Sequence, residues 1–198
     1  MPRFVEPVTL AGDHATLEPM VREHVPALRE ACADGELWKL WYTSVPRPEA
    51  MAAYVETALA MRDEGKAMPF VVRERASGAI VGSTRYMNVD ATNRRLEIGT
   101  TWYARRVQRT AVNTECKRLL LAHAFERMHC IAVEFRTSWF NHASRRAIER
   151  LGAKRDGVLR SHMLHADGTL RDTVVYSIVA AEWPGVRSHL DLLLGGER

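Results

Sequence analysis

The 198-residue chain is expected to form a mixed α/β fold, on a mostly antiparallel sheet with one parallel strand pair. Three observations carry this expectation. Strand patterns at Met68–Arg75, Ala79–Val89 and Leu96–Tyr103 are separated only by turn signals, Ser77-Gly78 and Asp90-Ala91-Thr92-Asn93. Such short connections join antiparallel neighbours. A helical pattern then lies between Leu96–Tyr103 and a strand at Cys130–Thr137. A strand–helix–strand unit of this kind makes its two strands parallel. The chain closes with strands Val158–His165 and Leu170–Val179 around Asp167-Gly168, a strong hairpin signal. The full order is βααβββαβαββ, with helices on both faces of the sheet.

Each element has a local reason. A first strand is expected near Val8–Leu17, followed by helices near Glu23–Ala33 and Pro48–Glu64. Pro48 suits a first helical turn, and Gly65 suits a stop just past the end. Phe70 and Val72 share one face of their strand. So do Leu96, Ile98, Thr100 and Trp102 of theirs. Val112, Cys116, Leu120, Ala124 and Met128 recur every four residues, the spacing of a helix with one buried face. A second helix runs from Asn141, a good N-cap, to Leu151, with Gly152 placed to end it. No repeat, low-complexity tract or Pro/Gly/Ser linker divides the chain, so one domain over residues 1–198 is expected.

Composition narrows the function. No apolar run approaches the ~20 residues of a membrane helix. The N-terminus has no apolar signal core, so a cytoplasmic location without membrane association is expected. Cys32, Cys116 and Cys130 are an odd number without C-x-x-C spacing. They are expected to be buried thiols, neither a disulfide framework nor a zinc site. The eight histidines show no metal-ligand spacing, so no metal is expected. Charge is uneven. Residues 94–160 hold 15 Lys/Arg against 6 Asp/Glu, a balance of +9. The remainder holds 13 against 18, a balance of −5. The basic block points to an anionic ligand on one part of the molecule. It contains no recognised nucleic-acid motif, so nucleic acid is not expected as the partner.

Four stretches carry a resemblance. They are Phe70–Tyr86 with Leu96–Tyr103, then Arg106-Val-Gln-Arg-Thr-Ala-Val-Asn-Thr-Glu-Cys-Lys117, then Asn141-His-Ala-Ser-Arg-Arg-Ala-Ile-Glu-Arg-Leu-Gly-Ala153. In order and spacing the chain resembles the GCN5-related N-acetyltransferase (GNAT) superfamily, in particular its RimJ/RimL-like ribosomal-protein N-terminal acetyltransferases. The resemblance implies an acyl-CoA-dependent N-acyltransferase, most naturally an acetyltransferase. Acetyl-CoA would be its co-substrate. Succinyl-CoA is an alternative donor, because a nearby arginine could bind a second carboxylate. The acceptor would be a primary amine of a protein N-terminus or a small molecule. A homodimer is left open, and a non-catalytic acyl-CoA-binding or regulatory protein is the alternative outside enzymes.

The resemblance also implies site residues. The family's acyl-CoA loop, Q/R-x-x-G-x-G/A, precedes a helix whose first amides bind pyrophosphate, as a positive helix end favours. Here Arg106 and Ala111 fill the outer positions, and Arg109 replaces the central glycine. Arg106, Gln108, Arg109, Thr110, Ala111, Val112 and Asn113 are therefore expected at the cofactor, with Arg109, beside Arg105 and Arg106, able to add phosphate-pairing charge if its backbone is ordinary. Trp102 and Tyr103 lie where strand amides would polarise the thioester carbonyl. Glu97 is the implied base, because only the neutral amine attacks a thioester and an α-amine has pKa near 7.7–8. The leaving-thiolate tyrosine of many members falls at Ile148, so Ser144 is the implied proton donor, with Asn141 on the pantetheine chain. Trp38, Trp41 and Tyr42 are expected to wall the acceptor pocket.

Overall fold

The computed structural model describes residues 4–165 and 167–195; the expected bounds 1–198 include residues outside that range. Its strands are β1 (Leu10–Ala11), β2 (Ala15–Pro19), β3 (Met68–Glu74), β4 (Ile80–Asp90), β5 (Arg95–Tyr103), β6 (Ala132–Ser138), β7 (Lys154–Leu164) and β8 (Leu170–Val179). Its helices are α1 (Val25–Ala33), α2 (Met51–Asp63), α3 (Ala111–Ala122), α4 (His142–Arg150) and α5 (Trp183–Leu193). The strands form one sheet in the order β1-β2-β3-β4-β5-β6-β8-β7. Only β5 and β6 pair in parallel, as the strand–helix–strand pattern requires.

The helices cover both faces. On β4, Tyr86 donates its hydroxyl to the Leu120 carbonyl of α3 at 2.6 Å. Its neighbour Arg85 stacks its guanidinium 5.0 Å from the Tyr54 ring of α2. Consecutive strand residues point to opposite faces, so α2 and α3 lie on opposite sides. Phe70, Tyr86, Phe135, Tyr176, Leu120 and Leu121 are fully buried. Each such side chain contributes roughly 1.5–3 kcal/mol through removal from water.

Three details depart from the sequence pattern. The N-terminal strand is two strands, because Gly12 and Asp13 turn the chain and the Gly12 amide donates back to the Ala15 carbonyl. The carboxylate of Glu115, from α3, accepts from the amides of Asp13, His14 and Ala15 at 2.7–2.8 Å and fixes that turn. The helical pattern from Val112 ends as an α-helix at Ala122 and continues as one π-helical turn, His123–Arg127. A fifth helix, α5, follows the last strand and buries Trp183, Val186 and Leu190. All three cysteines are buried free thiols. Burial pushes the Cys116 thiol up to about 12 and the Cys130 thiol up to about 11.

Removing the clamp leaves three backbone donors without their acceptor. Glu115→Ala is expected to lower stability by about 2–4 kcal/mol. Chemical denaturation measures it, and an unchanged midpoint would show that the β1–β2 turn stands without Glu115.

Candidate functional site

The site begins with one extra residue in β5. Between the pairs Ser83↔Trp102 and Arg85↔Gly99, β4 advances two residues and β5 three. Thr100 lies in that interval with φ of 48°, so β5 bulges there. Its pairing with β6 covers only Arg95↔Ala132, Leu96↔Val133 and Glu97↔Glu134. Beyond Glu97 the two strands separate. A cavity of about 400 Å³ fills the gap, lined by Ile98–Tyr103 on one wall and Phe135–Ser138 on the other. From one side α3 and α4 close it with Asn113, Lys117, Asn141 and Ser144. The segment after α1 contributes Leu37, Leu40 and Tyr42–Val45.

Two helix starts flank the opening. Thr110 caps α3, accepting from the Val112 amide at 3.3 Å and donating to the Val107 carbonyl at 2.7 Å. The Ala111 and Asn113 amides belong to the first turn, where helix geometry supplies no intrahelical acceptor. Asn141 caps α4, its Oδ1 accepting from the Ser144 amide at 3.0 Å. The loop before α3 is tied back, with the Gln108 side chain donating to the Tyr103 carbonyl at 3.0 Å. Arg109 adopts φ of 63°, the left-handed conformation that glycine favours. Its backbone is thus not the ordinary one expected of an arginine here: the chain keeps the glycine-like turn and accepts the strain of a side chain in it.

Glu97 lies at the closed end of the gap, behind the cavity wall, and is only 5% exposed. Its Oε2 accepts from Asn88 Nδ2 at 2.7 Å and lies 3.6 Å from Arg136 Nε. Gly99 makes room for the carboxylate, since a Cβ there would sit 2.7 Å from Glu97 Oε1. Burial raises the Glu97 carboxyl above its ordinary range, against the opposing pull of Asn88 and Arg136.

The cavity therefore brings together Trp102, Tyr103, Gln108, Asn113, Asn141, Ser144 and Tyr42. Trp102 also donates its indole N–H to Tyr54 at 3.4 Å. Thr110, Ala111 and Val112 instead line a second depression, with Asp13, His14 and Arg75. Arg106 is turned toward α1, its amide donating to Asp34 Oδ2 at 3.1 Å. The structure does not bring Trp38 and Trp41 to the cavity. Trp38 packs on the core, and Trp41 packs outside, tilted against Phe140 and edge-on to His165.

Lys117 was not anticipated. It sits beside Cys116 on the buried stripe of α3, is 6% exposed, and lines the cavity. Its ammonium donates to Thr101 Oγ1 at 2.8 Å and to Thr84 Oγ1 at 3.4 Å. Burial lowers its pKa to about 8. Among the described residues no cluster of His, Cys, Asp and Glu is placed to hold a metal, and no helix is long and apolar enough to cross a membrane.

Residues 14–154 match the acetyltransferase (GNAT) domain family. That span covers most of the chain, which belongs to this family. Over 108 residues it is 32% identical to YdaF of Bacillus subtilis (strain 168), which is named as a candidate ribosomal N-acetyltransferase. That match covers 54% of this chain and 58% of YdaF. A structure of a GCN5-related N-acetyltransferase from Brucella melitensis superposes with a TM-score of 0.86 at 26% identity, covering 98% of this chain and 87% of that one. The same fold is seen in Mycobacterium smegmatis RimJ, solved with CoA-disulfide, at a TM-score of 0.80 and 22% identity over 96% and 95% of the two chains.

The Lys117 pKa has a defined consequence for stability. Unfolded, a lysine titrates near 10.4. Between about pH 8 and that value the unfolded chain holds a proton that the folded chain has released, so wild-type stability rises with pH across this window. Lys117→Met is expected to flatten that slope and to exceed the wild type by up to ~3 kcal/mol at pH 7. Denaturant titrations at pH 7 and pH 10 measure it; parallel pH profiles would contradict it.

Proposed function

We propose that the chain is an acyl-CoA-dependent N-acetyltransferase whose acceptor is a protein N-terminal amine. The observation that carries this is the gap between β5 and β6, with Ser144 on its wall and the buried carboxylate of Glu97 at its closed end. The likeness to YdaF supports a protein acceptor. The donor supplies an activated acyl group as a thioester of CoA. Gln108–Asn113 and Asn141 are the residues to hold it: Ala111 and Asn113 contribute first-turn amides of α3, and Arg109 adds a nearby positive charge. Metal plays no part in the proposed chemistry.

Glu97 takes the proton from the incoming amine, through water, since Asn88 and Arg136 already engage its Oε2. At pH 7 about a tenth of an α-amine is neutral, so a positioned base matters less for it than for a lysine side chain. The Ser144 hydroxyl donates to the departing sulfur. Its backbone is fixed for this by the Asn141 cap, which accepts the Ser144 amide. Backbone amides of β5 near Thr101–Tyr103 face the carbonyl, because the bulge releases them from pairing with β6. Tyr42 lines the acceptor side of the cavity. Trp38 and Trp41 do not, and they act in this reading only as packing around it.

Thiol release from acetyl-CoA over a panel of N-terminal peptides and N-blocked lysine peptides tests the reading. Turnover should favour free α-amines. Glu97→Gln should lower turnover about 10- to 10³-fold with acetyl-CoA affinity unchanged. The rate should rise with pH through the raised Glu97 carboxyl, because only the carboxylate accepts a proton. Ser144→Ala should slow acyl transfer by about 10- to 10²-fold without loss of CoA binding. Acetyl-CoA binding with no thiol release from any amine would instead identify a non-catalytic acyl-CoA-binding protein.

A further inference from the structure

Three cations line the cavity, Lys117, Arg136 and Arg171, and no Asp or Glu does so among the described residues. Lys117 is occupied by threonine hydroxyls. Arg136 donates to Glu134 Oε2 at 2.9 Å and 3.2 Å and pairs with Glu97. Arg171 differs. Its Nε is sealed from solvent and has no hydrogen-bond partner among the described residues. Burial without such a partner lowers its pKa, opposed only by the more distant attraction of Glu97.

A second orphaned donor stands beside it. Ser138 is 2% exposed, lines the same cavity, and its hydroxyl also lacks a partner. Ser138 pairs with Thr173 across β6 and β8. Arg171 is two residues from Thr173, hence on the same face and diagonal to Ser138. Buried polar groups are nearly always paired, so two adjacent exceptions within one cavity need an explanation. Both are donors, and one is cationic. The Thr173 hydroxyl is engaged by His162 and does not compete.

We propose that Arg171 and Ser138 form a carboxylate-binding subsite that selects a substrate carrying a carboxylate close to its reacting group. An oxygen pair of that kind accepts from the guanidinium and the hydroxyl together. The inference rests on the acyltransferase reading above and names a property of its substrate. The carboxylate belongs either to the amine acceptor or to the far end of a dicarboxylic acyl group on CoA.

Calorimetric titration separates these sources without turnover. One arm compares succinyl-CoA with butyryl-CoA. The other uses CoA-saturated protein and compares Ser-Asp-Ala amide with Ser-Asn-Ala amide. In one arm the carboxylate-bearing ligand should bind at least about tenfold more tightly, since a site built around paired donors rejects an analogue that leaves them unpaired. Arg171→Gln should erase the difference, Ser138→Ala should reduce it severalfold, and Arg171→Lys should keep part of it. Unchanged CoA affinity certifies that each variant folds; should Arg171→Gln fail that check, Arg171→Lys and Ser138→Ala carry the comparison. Equal binding within both arms, or a difference that persists in the variants, overturns the proposal. Absence of thiol release from acetyl-CoA with every amine would overturn the acyltransferase reading instead, and the binding comparison stands apart from it.

Discussion

A single additional residue in β5 governs the arrangement of everything downstream of it. Thr100 takes a left-handed backbone conformation, and the strand bends away from its parallel neighbour. Beyond Glu97, β5 stays paired with β4, shifted by the bulge, but not with β6. Its backbone groups on that side therefore face a cavity. In an unbroken sheet they would be consumed by the ladder, and no ligand could reach between the strands. The three pairs that remain at the start of β5 hold the two walls at a fixed separation.

The electrostatics of the gap follow from its depth. Glu97 is raised by burial while Asn88 and Arg136 hold the opposite way, which leaves a carboxylate with more basic character than an exposed one. Gly99 leaves room beside it, since a Cβ there would crowd the Glu97 carboxylate and the Met87 sulfur. Lys117 experiences the same burial with the opposite sign. The cap of α4 connects helix geometry to chemistry directly, since the Asn141 side chain that ends the loop also orients Ser144.

Much of the fold was legible because it depends on local rules. Alternation marked β3 and β5, turn signals bounded β4, four-residue spacing marked α3, and Asn141 with Gly152 bounded α4. The division of the first strand was not legible, because it depends on Glu115 from a helix a hundred residues away. Gly99 borders the bulge, but it is Thr100 that takes the left-handed conformation, which its residue type does not signal. Aromatic spacing points to Trp38 and Trp41 beside Tyr42, but Leu37–Lys39 folds as a single 3₁₀ turn, and Leu37 and Leu40 line the cavity with Tyr42 instead. Lys117 adjoins an apolar stripe where a lysine would be expected to reach solvent. Ser138 and Arg171 come to one face as diagonal neighbours only through the β6–β8 register, which no local pattern encodes.

In the proposed function, the opening between β5 and β6 holds the reacting thioester. A crystal structure with acetyl-CoA tests it most directly. The sulfur is expected within about 3.5–4 Å of Ser144 Oγ, the distance of a hydrogen bond to sulfur. The acetyl carbonyl is expected against the freed amides of β5. A thioester seated outside that opening, or on the side of α3 lined by Asp13, His14 and Arg75, would contradict it.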